Sequence, residues 1–106
     1  MTEQDNKYDS GNKIEEGYQL LGKKWVGLIV HNLMIEPKRF SQLHVSIPAL
    51  SKRMLNERIK ELEDYGIVSR NVVNERPIYV EYSLTDKGLD LAVALLKVES
   101  WAERWL

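Results

Sequence analysis

Five side chains in the stretch SKRMLNERIKELEDY, Ser51 to Tyr65, are of the kind that read DNA. At helical spacing Lys52, Arg53, Asn56, Glu57 and Lys60 share one side. Arginine and lysine suit the two acceptors of guanine, and asparagine suits the acceptor and donor of adenine. Near a helix N-terminus, Lys52, Arg53 and Asn56 can reach base edges in a major groove. Lys60 lies further along and suits a phosphate, while Glu57 can accept from cytosine or repel phosphate. The other side is apolar: Leu55, Ile59 and Leu62, with Met54 and Tyr65 at its margin. Ser51 is the expected N-cap, since its hydroxyl can accept from a free amide of the first turn; it can also donate to a phosphate. Gly66 is the expected stop, because glycine takes the left-handed conformation that ends many helices. Arg58 falls at the edge of the core stripe, where a structural ion pair competes with a DNA contact. A charged face is also what any solvated helix shows, so the flanking sequence has to decide.

Upstream, Ser41 reads as the N-cap of a short helix, SQLHVSI, with Leu43 and Ile47 inward and Pro48 as its breaker. Two helices joined by a tight connection, the second with a polar leading face, make a helix-turn-helix over about residues 41–65. Lys38, Arg39 and Ser41 are placed to anchor its first helix to the DNA backbone. Downstream the period changes to two. Ile67 to Asn74 and Ile78 to Leu84 are rich in β-branched and aromatic residues and read as a hairpin. Arg76 at its tip is placed to enter a minor groove or touch phosphate. A hairpin directly after a helix-turn-helix is a wing, here over about residues 67–84. The expected class is α+β, mostly α: a winged helix-turn-helix with a dimerisation helix at each end.

The remaining elements carry that unit. Residues 1–12 are polar and read as a flexible tail, leaving residues 13–106 as one domain. Ile14 to Leu21 reads as a short helix with Ile14, Tyr18 and Leu21 on one face, ended by Gly22. Lys23 to Ile35 is apolar on nearly every face, which predicts a central buried helix. Gly27 suggests close helix packing there, and His31 reads as a satisfied structural histidine. Arg39-Phe40 can add a brief edge pair to the sheet. Thr85 caps a last helix over residues 85–106. Leu89, Ala92, Val93 and Leu96 form one apolar stripe of it. Leu91, Leu95, Val98, Trp101, Ala102 and Trp105 form a second, roughly opposite. The first can bury on its own domain. The second, with two tryptophans, needs another surface, because monomers avoid large exposed apolar patches. The expected interface is a homodimer through these residues and Tyr18; the alternative is that the second stripe folds back on the first helix.

Bulk properties bound the rest. The 106 residues have a formal charge of −1. That charge is uneven: −3 from Met1 to Gly22, but six basic residues against Glu57 from Pro37 to Lys60, a net of +5. Local sign governs phosphate attraction, because screening removes the distant acidic end within about 8–10 Å at physiological salt. With no cysteine, disulfides, zinc-thiolate sites and thiol redox sensing are excluded. No apolar run reaches membrane-spanning length and no signal peptide precedes the domain, so a cytoplasmic protein is expected. Enzymatic chemistry is not indicated. Glu15/Glu16, Glu61/Glu63/Asp64, His31 and His44 are the only obvious acid–base material, without a nucleophile–base pair or phosphate loop. His31 and His44 lack further ligands at metal spacing. No cofactor, metal or membrane partner is expected.

The chain resembles the HxlR-type winged-helix transcriptional regulators, relatives of the MarR group. The matching pieces are LLGKKW (Leu20 to Trp25), PKRFSQL (Pro37 to Leu43), IPALSKRMLNERIKELEDYGIVSR (Ile47 to Arg70) and VEYSLTDKG (Val80 to Gly88). The resemblance covers Leu20 to about Trp105. The resemblance implies a bacterial homodimer, joined through terminal helices, on inverted-repeat operator DNA near promoters, usually as a repressor and sometimes as an activator. One departure matters. Many relatives carry an N-terminal cysteine, which some use to sense electrophiles or oxidants, and this chain has none. The signal it answers is left open, as is a small-molecule effector in a cavity between the terminal helices. The rival reading is a winged helix used as a protein-interaction module.

Overall fold

A computed structural model of the chain describes residues 12–106. The expected tail lies outside them, except that Asn12 already belongs to the first helix. Among the described residues, five helices and one hairpin follow in order: α1 (Asn12–Gly22), α2 (Val26–Ile35), α3 (Phe40–Ser46), α4 (Lys52–Asp64), β1 (Val68–Val73), β2 (Tyr79–Leu84) and α5 (Asp86–Trp105). No described helix is long and apolar enough to cross a membrane.

One core holds the helix-turn-helix together. Val26, Ile29, Val30 and Leu33 of α2 meet Leu43 of α3, Leu55, Ile59 and Leu62 of α4, and Ile67 and Val68 at the start of the hairpin. Ile47 and Leu50, in the connection between α3 and α4, are buried in the same cluster. At about 25 cal/mol per Å² of apolar surface, this burial is what fixes α4 against α2. α2 is central on one side only, however. Leu28 is 50% exposed. The helix also begins later than expected: Lys23 to Trp25 form a turn, and Trp25 takes a left-handed φ of 80°.

The wing is an antiparallel pair with Val68 opposite Leu84 and Val73 opposite Tyr79. Tyr82 stands opposite Arg70. Its own backbone N–H and C=O bond away from β1, to the C=O and N–H of Lys38, at 2.8 and 2.9 Å. The brief edge pair therefore forms one residue earlier than Arg39-Phe40, as a single bridge from the segment before α3 to the outer edge of β2. That pairing holds Arg39 extended and sets where α3 starts.

Two glycines differ from expectation. A Cβ on Gly27 would meet nothing within 4 Å, so Gly27 marks open space and not close helix packing. The tight contact is at Gly88, where a Cβ would lie 2.1 Å from the Ile67 carbonyl oxygen. There α5 crosses the start of β1 without a side chain between them. Gly66 does end α4, with φ +74°.

Candidate nucleic-acid interface

α4 has the two sides its spacing predicts. Leu55, Ile59 and Leu62 are buried, while Lys52, Arg53, Asn56 and Lys60 are exposed. The Ser51 hydroxyl oxygen accepts from the Met54 amide at 3.1 Å, as expected of the N-cap. Its proton remains available for a phosphate. Arg53 Nε lies 3.7 Å from Glu57 Oε1, one turn on, with the arginine side chain 90% exposed. Such an exposed pair contributes little, and an incoming phosphate can replace it.

Arg58 proves structural. Its Nε donates to the Lys24 carbonyl at 3.0 Å, and a terminal nitrogen to Glu61 at 3.1 Å. Glu61 also receives Lys23 Nζ at 3.1 Å. This carboxylate thus ties α4 to the α1–α2 turn.

The three residues expected to anchor α3 separate. Lys38 is half-buried, and its Nζ donates to the Asn32 carbonyl at 3.1 Å, in the last turn of α2 where a cation is favoured. It closes that helix. Ser41 lies inside the first turn of α3 and is not its cap. Arg39 takes the N-cap position, and the Arg39 amide donates to Gln42 Oε1 at 2.8 Å. Ser41 is exposed. Arg39 is also exposed and lies flat on the Tyr79 ring, 3.6 Å from its centroid. Arg76 stands exposed at the wing tip.

The terminal helices divide their apolar residues differently from the two expected stripes. On α5, Gly88 and Ala92 are buried, and Leu91 and Leu95 pack against the chain's own core. Leu89, Val93 and Leu96 stay exposed. The core-facing line thus runs between the two stripes and takes residues from both, because the Gly88 contact fixes the helix rotation. Of the second stripe, Val98, Trp101 and Trp105 remain exposed, the tryptophans at 56% and 67%, and Ala102 is half-buried. On α1, Leu20 is the buried residue, while Ile14 and Tyr18 point outward. Between α2 and α5 runs a groove of about 500 Å³, lined by Gly27, Leu28, Leu95, Val98 and Ala102 among others. His31 Nδ1 lies 3.0 Å from Glu99 Oε1 at this groove, so His31 is satisfied and joins the two helices.

A family model described as HxlR-like helix-turn-helix matches residues 20–106. The chain belongs to the HxlR family. It is similar to YvaP of Bacillus subtilis (strain 168), described as an uncharacterized HTH-type transcriptional regulator, with 44% identity over 95% of this chain and 94% of that one. It is 46% identical to the HTH-type transcriptional regulator YodB of the same organism, over 88% and 83% of the two chains. The solved reduced form of YodB superposes with a TM-score of 0.80 over 88% of this chain and 91% of that one. YodB is also known in diamide-treated and quinone-bound forms. This chain is thus a winged helix-turn-helix member of a family of transcriptional regulators, not of enzymes.

The sequence reading passed over Tyr79, Gly88 and Gln42. Gln42 was legible, since a glutamine three residues after a helix start is a recurrent capping partner. Tyr79 was not, because its link to Arg39 depends on how the wing folds back beside α3.

Proposed function

We propose that the protein is a homodimeric, sequence-specific DNA-binding regulator that occupies an inverted-repeat operator in the cytoplasm and represses the adjoining promoter. The observation that carries this is the split character of α4. Its apolar side is buried, while every polar residue suited to base or phosphate contact is held outward from a capped N-terminus. In a two-fold dimer the two α4 helices would enter successive major grooves, about 34–36 Å apart, and the operator would mirror that symmetry. Lys52, Arg53 and Asn56 read bases. Ser51, Lys60, Arg39, Ser41 and Arg76 meet backbone. Dimerisation rests on Tyr18, Val98, Trp101, Ala102 and Trp105; among the described residues all but the half-buried Ala102 are more than half exposed, which makes a broad apolar surface. The α2–α5 groove opens among these residues, and a small effector entering it would act on the dimer geometry. With no cysteine the chain cannot answer an oxidant or quinone through a thiol.

The test is a salt-series titration with DNA from upstream of its own gene against a shuffled control. Preference for the native fragment, weakening steeply with salt, is expected. Arg53→Ala and Asn56→Ala should each lose discrimination of about 1–3 kcal/mol at one base position. Specific binding that survives both unchanged removes α4 from the reading, and no binding at low salt favours a protein-interaction module.

A further inference from the structure

The cations around α3 and α4 are held in two ways. Lys23, Lys38 and Arg58 are bound to carboxylates or backbone carbonyls inside the fold. Arg39 is held by an aromatic face instead. Its guanidinium carbon stands 3.6 Å above the Tyr79 ring centroid, which is van der Waals contact between two flat groups. Arg39 stands in none of the ion pairs among the described residues. A guanidinium carries its five N–H donors in its own plane. Stacking occupies one face of that plane and leaves its edge free, so the group is oriented while its charge stays uncompensated. The backbone around it is equally fixed, by the Lys38–Tyr82 pairing on one side and the Gln42 cap on the other. Tyr79 itself opens β2, so one ring links the first helix of the reading motif to the wing.

We propose that Tyr79 is a positioning residue, and that with Arg39 it forms a preset clamp for one DNA backbone phosphate at the junction of α3 and the wing. The proposal rests on the DNA-binding reading above. A free arginine must give up rotamer freedom when it grips a phosphate; here the ring has already restricted it, so less is lost on binding. The clamp also ties the start of α3 to the wing.

Phosphate contacts are independent of sequence, so a mixed-sequence duplex serves as the probe. Full-length wild type, Tyr79→Leu, Tyr79→Phe, Arg39→Ala and the Arg39→Ala/Tyr79→Leu double variant are titrated across a salt series, each below its melting temperature. Arg39→Ala should lower the slope of log K against log salt by about one per protomer. Tyr79→Leu should weaken binding about two- to fivefold per protomer with the slope unchanged, because the charge remains. Tyr79→Phe keeps the ring and should match wild type. The double variant should bind no more weakly than Arg39→Ala, since the ring acts only through the guanidinium. If Tyr79→Leu lowers the melting temperature but binds DNA like wild type, the stack is structural and the clamp is wrong. Additive losses in the double variant overturn it as well. Absence of salt-dependent binding by the wild type removes the DNA-binding reading together with the clamp, whereas the other two failures leave that reading standing.

Discussion

α4 and α5 are both two-sided helices with side-chain caps, and they treat their outer faces in opposite ways. α4 buries three large aliphatic residues and exposes lysine, arginine and asparagine. α5, seven residues longer, buries only Gly88 and Ala92 fully and exposes leucine, valine and tryptophan. An exposed cation is stable in water and gains when it meets phosphate. An exposed tryptophan has no such resting partner, and large apolar surface is costly to leave wet. The first face is charged and stable in water as it stands, whereas the second leaves its apolar side chains exposed among the described residues.

The joint between the two regions is Gly88, and it should break first. A methyl group there would meet the Ile67 carbonyl oxygen at 2.1 Å, backbone against backbone, with no flexible side chain to yield. Gly88→Val should therefore cost about 3 kcal/mol or more, at the upper end of overpacking effects. A thermal or urea melt would read it. Unchanged stability would mean that α5 can slide along β1, and that the assignment of exposed residues on α5 is not fixed. The next largest effect belongs to the apolar face. Trp101→Glu combined with Trp105→Glu should weaken the dimer by at least about 2 kcal/mol per buried tryptophan, as interface anchors do. Monomer stability should change little, because both rings are more than half exposed. Sedimentation equilibrium across protein concentration would show a shift toward monomer. A dimer that persists unchanged would move the interface to the Leu89–Val93–Leu96 flank.

The reading unit was legible in the sequence because each of its signals is local. Ser51, the Leu55–Ile59–Leu62 spacing, Gly66 and the alternation of Ile78 to Leu84 lie within one element each, and the comparisons and the fold agree with the winged helix-turn-helix they imply. The errors arose where two elements must meet. Periodicity found two apolar stripes on α5 but not which would turn inward, since Gly88 sets that rotation through a contact with Ile67. Gly27 looked the same as Gly88 in sequence, yet it faces an open groove. Lys38 shows only its charge in the sequence, and not that its Nζ donates to the Asn32 carbonyl near the end of α2. Ser41 read as a cap because serine favours that position; with Lys38 paired to Tyr82, the cap falls two residues earlier, at Arg39.

The two caps offer the smallest and sharpest contrast. Ser51 makes one bond within its own turn, to the Met54 amide, and that amide lies at an exposed helix start where water can replace the hydroxyl. Ser51→Ala should therefore cost about 1 kcal/mol or slightly less. Thr85 accepts from the Gly88 amide at 3.1 Å, and its hydroxyl also reaches the carbonyls of Gly66 and Ile67. It caps α5 and ties it to the end of α4 at once, so Thr85→Ala should approach the upper end of the capping range, about 2 kcal/mol. Parallel urea melts with a common slope would compare them. Equal losses would mean that the carbonyl contacts add nothing, and that α5 is held on the reading unit by the Gly88 approach and apolar packing alone. A larger loss at Thr85 would show that the polar joint contributes to fixing the angle at which α5 presents Trp101 and Trp105, which a dimer must hold constant if its two α4 helices are to keep one spacing on DNA.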